Sequence, residues 1–154
     1  MAKNYIFRRP QIAAAFREQV ILGLDVVGIL VQNAIKKGMG EHGSGEGGTP
    51  SPAGSPPAVQ TGALRRSIQV DRSQVETKLR VRIGTNLIYA PIQEYGGTIT
   101  AKNAPCLAFE VAPDEILLVK SVRLPARPYL RPGLKKAKRK VRLAFRKALK
   151  GLRI

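Results

Sequence analysis

Apolar residues return at three- and four-residue steps from Ile12 through Phe16, Val20, Leu24, Val27 and Val31 to Ile35, which places them on one face of a helix. Pro10 suits the first turn, where a missing N–H costs nothing, and Gly38 follows Lys36 and Lys37 as a stop with cations that suit the helix dipole. The pattern predicts a helix over 10–37. Its other faces carry Ile21, Val26 and Ile29, so it is apolar nearly all round. A small domain can hardly cover such a helix alone, and a neighbouring subunit is expected on the remainder.

The pattern then stops. Residues 38–60 hold seven Gly, four Pro and three Ser, a composition that buries too little apolar area to offset its ordering entropy, and a flexible loop is expected there. From Thr61 a new pattern starts: TGALRRSI reads as a helical turn leading into a strand, and the alternation of Leu79, Val81 and Ile83 marks a second strand opposite Ile68 and Val70, forming a hairpin. YAPIQEYGG reads as a short helix or turn closed by Gly96 and Gly97, TITAK as a strand, and CLAFEV and ILLVKSVRL as two more strands around Pro113 and Asp114. Pro125 and Pro128 impose an extended segment, LPARPYLRPG. A last helix over 133–151 places Leu134, Ala137, Val141, Phe145, Ala148 and Leu152 on one face and Lys or Arg over the rest. The chain is therefore expected to be a single α+β domain over 1–154: a long N-terminal helix, the loop, a β-rich core over 61–132 with a small, mostly antiparallel sheet, and a basic C-terminal helix.

Composition sharpens the picture in two respects. Aromatic residues are only 5% of the 154 and Trp is absent, so the core must come from Ile, Leu, Val and Ala. Net charge is +17, and residues 116–154 hold 14 of the 27 Lys and Arg with none of the 10 acids. Such a tail attracts polyanions over roughly 8–10 Å and repels its own copies unless something neutralises it. An acidic partner surface or DNA is implied. The run from Val20 to Val31 is interrupted by Asp25 and is shorter than the roughly 20 residues of a membrane span, and the N-terminus lacks the apolar core of a secretory signal; no membrane association is expected.

Catalytic chemistry has little to work with. The single histidine, His42, falls in the Gly/Pro loop, where it is not held to the tolerance that proton transfer requires. The single cysteine, Cys106, excludes an internal disulfide and reads as a structural thiol in an apolar run. Gly43, Gly45 and Gly48 spell a GxGxxG, but no strand precedes them and TPSP follows. Glu110, Asp114 and Glu115 bracket a proline turn, where solvated acids are common. No catalytic residue, cofactor or metal site is assigned, and the chain is expected not to be an enzyme.

Three stretches carry more information. PPAVQTGALRRSI (56–68), VRIGTNLIYAPIQEYGG (81–97) and LPARPYLRPGL (124–134) resemble, in order and spacing, motifs of the tail-completion and head-tail joining proteins of lambda-like siphophages and of the related Mu-like virion morphogenesis family. Gln60 stands where many relatives carry Asp, and Gln93 and Glu94 where Mu-like members often have His-Gln. The resemblance implies a structural virion protein at the phage neck, assembled in the bacterial cytoplasm as a homo-oligomeric ring, hexameric in the family's pattern. Its expected neighbours are head-completion and tail-tube or tail-terminator rings. Thr61, Gly62, Leu64, Tyr89, Tyr95, Gly96, Arg127, Tyr129 and Arg131 read as subunit-interface residues, because Tyr and Arg are enriched in interface hot spots and Gly allows close approach. Lys135, Lys136, Lys138, Arg139 and Lys140, with Arg142, Arg146, Lys147, Lys150 and Arg153, read as contacts to an acidic partner or, without sequence preference, to DNA. The alternatives are a cellular nucleic-acid-binding protein and a tail terminator or other minor tail protein.

Overall fold

The computed structural model describes residues 9–40, 50–112 and 115–150. His42, the GxGxxG glycines, Pro113, Asp114, Leu152 and Arg153 lie outside them. In chain order the elements are α1 (Arg9–Gly40), α2 (Ala63–Ser67), β1 (Gln69–Asp71), α3 (Val75–Lys78), β2 (Arg82–Gly84), α4 (Ala90–Tyr95), β3 (Gly97–Thr100), β4 (Leu107–Ala112), β5 (Glu115–Val119), β6 (Ser121–Leu124) and α5 (Leu130–Lys150). This is the expected α+β order of long helix, antiparallel strands and basic helix.

The two long helices form the main packing of the fold. They run antiparallel: Gly23 of α1 faces Phe145 and Ala148 of α5, while Ile35 faces Gly133. Small residues set the spacing. A Cβ on Gly133 would fall 2.5 Å from Ile35 Cγ1 and 2.8 Å from its Cα, so only glycine lets the backbones approach this closely. The contact line on α5 accordingly follows Gly133 and Ala137, and Leu134, expected on the packed face, is rotated out to solvent. Phe16 of α1, expected on the buried face, is likewise exposed.

Strands decorate this pair of helices and do not form the expected β-rich core. There is no single sheet among the described residues but three two-stranded antiparallel ribbons: β1 with β2, β3 with β6, and β4 with β5. β1 and β2 pair antiparallel as expected, with Val70 opposite Ile83, but Ile68, Leu79 and Val81, expected in the strands, lie outside them: Ile68 ends α2, and Leu79, at φ +48°, ends α3, a helical turn set between the strands. The pair lies on α1 where Gly28 leaves room for the side chains of Val70 and Val81. The buried cluster is Val31, Ile35, Met39, Leu64, Ile68, Ala90, Tyr129 and Ala137, supplied by helices and the turns between them.

Two boundaries move for physical reasons. Helix α1 continues through Gly38 to Gly40, and Met39 is buried in the core. The segment expected to be flexible is pinned where it is described: Gly54 N–H donates to Ala126 O at 2.8 Å, Arg127 Nε donates to Ser51 O at 2.7 Å, and Ser51 and Pro57 are buried. Composition alone missed these anchors because they are backbone groups satisfied from a remote part of the chain. Helix α5 starts at Leu130, three residues before the expected Gly133.

The glycine contacts predict opposite signs at two positions. Gly133→Ala forces α5 off Ile35 and lowers unfolding free energy by about 1–3 kcal/mol. Gly38→Ala meets nothing within 4 Å and raises stability by about 0.5–1 kcal/mol through the unfolded chain's lost freedom. Urea titrations of the two variants against the wild type check both signs.

Candidate functional site

The start of α5 has no local cap. Pro128 and Tyr129 precede it where Ser, Thr, Asn or Asp would normally accept from the first N–H groups. Glu94, at the end of α4, supplies the acceptor from across the fold. Its Oε2 accepts from Tyr129 N–H at 2.7 Å and Leu130 N–H at 2.9 Å, and its Oε1 from Arg131 N–H at 3.3 Å and Arg131 Nε at 3.2 Å. Pro132 has no N–H to satisfy, and Gly133 N–H begins the helical ladder on Tyr129 O. Every backbone donor of the first turn is thereby accounted for. A carboxylate at the positive end of a 21-residue helix is also favoured by the helix dipole.

Around this cap the neighbouring backbone is fixed in turn. Arg127 N–H donates to Gln93 O at 2.7 Å. Gly96 adopts φ +69°, and a Cβ there would fall 2.7 Å from Ala126 N and 2.9 Å from Leu124 O, so both its conformation and its contacts require glycine. Arg131 arches back over the Tyr95 ring, its guanidinium carbon 4.8 Å from the ring centre. The third stretch joins through hydroxyls: Ser67 Oγ lies 2.6 Å from Thr85 Oγ1, which also accepts from Leu87 N–H, and Ser67 Oγ donates to Leu64 O. Thr61 Oγ1 accepts from Ala63 N–H and Gly62, at φ +72°, caps α2. The three stretches singled out in the sequence thus converge on one another.

That convergence separates the expected interface residues. Thr61, Tyr89, Tyr95 and Arg131 are exposed, with Tyr95 at 68%. Thr61 and Tyr89, with Met39, Pro57, Arg65 and Gln93, line a shallow pocket of about 210 Å³. Leu64 and Tyr129 are in the core instead, Tyr129 only 2% exposed, so neither is a contact anchor. Gly62 and Gly96 are partly buried turn formers, and Arg127 is committed to Ser51. The prolines around Tyr129 that suggested a rigid presenting segment in fact seat it inside. Glu94, 2% exposed and the hub of the network, was not among the expected residues. The signal was present: a helix start without a side-chain cap implies a remote one.

The cations of α5 behave as expected in position. Lys135, Lys136, Lys138, Arg139, Lys140, Arg142, Arg146, Lys147 and Lys150 are all exposed. One side of the helix, from Lys135 to Arg146, borders an open groove of about 530 Å³ around Leu143. Leu22, Val26 and Ile29, at four- and three-residue steps on α1, form an uncovered apolar stripe. Among the described residues no three His, Cys, Asp or Glu side chains gather as metal ligands, Cys106 is half-buried, and no helix is long and apolar enough to cross a membrane. No family model, curated protein or solved structure matches the chain.

Two consequences are measurable. Glu94→Ala orphans the first-turn donors and costs about 2–4 kcal/mol of unfolding free energy, with Glu94→Gln intermediate, as read by urea denaturation. Burial, with Glu94 nearby, pushes the Tyr129 phenol up to about 12 from 10.0. Because the folded value lies above the unfolded one, the associated stabilisation is complete below about pH 10 and is lost as pH rises through the folded value. Between those limits the wild type loses on the order of 2 kcal/mol more than Tyr129→Phe, which paired melting curves at pH 9, 10.5 and 12 measure.

Proposed function

We propose that the chain is a structural subunit of a bacteriophage neck, a tail-completion or head-tail joining protein that acts by assembling into a ring. The observation that carries this reading is apolar surface left uncovered in a strongly cationic subunit. Leu22, Val26 and Ile29 of α1 and Phe109, Ile116, Leu117 and Leu118 of the β4–β5 hairpin are all exposed. Clustered apolar surface of this kind on a small soluble chain marks an interaction site. The motif resemblance supplies the kind of assembly, and the mutual packing of its three stretches gives those residues a common structural reason. In this reading the chemistry of the protein is association: the α1 stripe meets a neighbouring subunit, and the cations of α5 meet acidic protein surface.

A second reading, nucleic-acid binding, is favoured by the ten exposed Lys and Arg of α5. It predicts duplex affinity that falls with salt at a log-log slope of about 0.9 per phosphate neutralised, regardless of base sequence.

The ring is expected to form from purified protein at micromolar concentration, visible as closed particles in negative-stain micrographs and as a single heavy species in sedimentation. Leu22→Asp with Val26→Asp abolishes those particles and leaves the melting temperature within about 3 °C, since both side chains are already exposed. A wild-type chain that stays monomeric at all concentrations while binding duplex DNA tightly overturns the ring and supports the second reading.

A further inference from the structure

The β4–β5 hairpin stands apart from the rest of the fold. Its strands pair Phe109 with Leu117, Ala108 with Leu118 and Glu110 with Ile116, and no other element packs extensively on either face. Phe109 and Leu117 are exposed on one face; Ile116 at 66% and Leu118 at 62% are exposed on the other. An isolated two-stranded ribbon with both faces wet and both edges open is marginal in water and an invitation to pairing. The hairpin also carries the opposite charge to its body. The sequence from Leu107 to Val119 contains three acids, Glu110, Asp114 and Glu115, and no Lys or Arg, in a chain of net charge +17.

Building on the ring reading, we infer that this hairpin is an arm that docks on the outer side of α5 in a second copy of the chain. The receiving surface is the groove bordered by Lys135, Lys138, Arg139, Arg142 and Arg146 around Leu143. Those residues recur at three- and four-residue steps, so they share one side of the helix. Leu143 and the aliphatic stems of the Lys and Arg side chains cover Ile116 and Leu118, the cationic heads meet Glu110, which shares that face as the partner of Ile116, and Glu115, on the other face at the start of β5, adds to the arm's negative potential. The contact also answers the problem the composition poses, since copies at +17 repel unless each brings acid to the other's basic helix. An arm-to-helix contact joins different surfaces on the two copies, the head-to-tail geometry that closes into rings when the rotation permits.

Charge exchange in the full-length protein tests this, with self-association followed by sedimentation over a concentration series. Glu110→Lys with Glu115→Lys weakens association about tenfold or more, and so does Lys138→Glu with Arg142→Glu. Combining all four restores it to within about threefold of the wild type. Ile116→Ser with Leu118→Ser, which leaves every charge in place, weakens it similarly and carries the test should a reversed variant fail to fold by circular dichroism. The same reversal placed at the exposed acids Glu18 and Glu76, outside the arm, leaves association nearly unchanged; an equal loss there means that net charge alone acts and overturns the inference. Association that survives both the arm reversal and the Ser pair overturns the arm and leaves the ring standing. A monomeric wild type removes both. If reversal on α5 lowers only duplex DNA affinity, the groove belongs to nucleic acid and the arm does not use it.

Discussion

A helix of 21 residues in which Lys and Arg predominate over its polar face can be held against a thin core only if its first turn is fixed, and one buried carboxylate fixes it. The N–H groups of Tyr129, Leu130 and Arg131 cannot reach helical carbonyls, and left buried and unmet each would cost about 1–3 kcal/mol. Glu94 accepts from all three, and Pro132 removes the need for a fourth acceptor. Once that end is set, Gly133 meets Ile35 and the remaining turns follow α1 to the contact of Phe145 and Ala148 with Gly23. The charge on α5 then faces outward as a consequence of the small residues facing inward.

The same carboxylate explains why distant segments constrain each other. Glu94 is delivered by α4, whose C-terminal Gly96 must sit against the backbone of Leu124 and Ala126. Ala126 and Arg127 in turn hold Gly54 and Ser51. Residues 50–57 and 93–96 are therefore both tied to 124–133, the first by the Gly54 N–H and the Arg127 side chain, the second by the Arg127 N–H and the charged cap. A substitution in any of them propagates through the position of Tyr129, which fills the cluster with Ile35 and Met39.

What could be read from the sequence divides along the range of the interactions. Helix α1, the antiparallel pairing of β1 with β2, the short helix at α4 and the amphipathic α5 follow from local periodicity, and the structure has the helices within a few residues of the expected bounds. The organisation of the strands did not follow, because period-two alternation identifies a strand but not its partner, and β3 pairs with β6 across the whole β4–β5 hairpin. Tyr129 looked like a surface anchor because arginines flank it; its burial depends on Glu94, 35 residues away in the chain. The pinning of residues 50–57 was hidden for the same reason. The outward cations of α5 were legible because an amphipathic helix tells its own orientation once its small residues are seen.

The distribution of strong and weak packing has a functional direction. Between α1 and α5 the backbones approach as closely as glycine permits, and Glu94 satisfies the donors of the first turn of α5, so the body of the chain is tightly held. Apolar side chains without cover are found at the α1 stripe and on the β4–β5 hairpin. A chain that spends glycine on close helix contact leaves Ile116 and Leu118 in water, and under the arm proposal these are the side chains that a second copy would cover. Rigidity in the body and incompleteness at the arm are the properties a subunit needs if docking is to add order without refolding, since little conformational entropy remains to be lost in the body when the arm is covered.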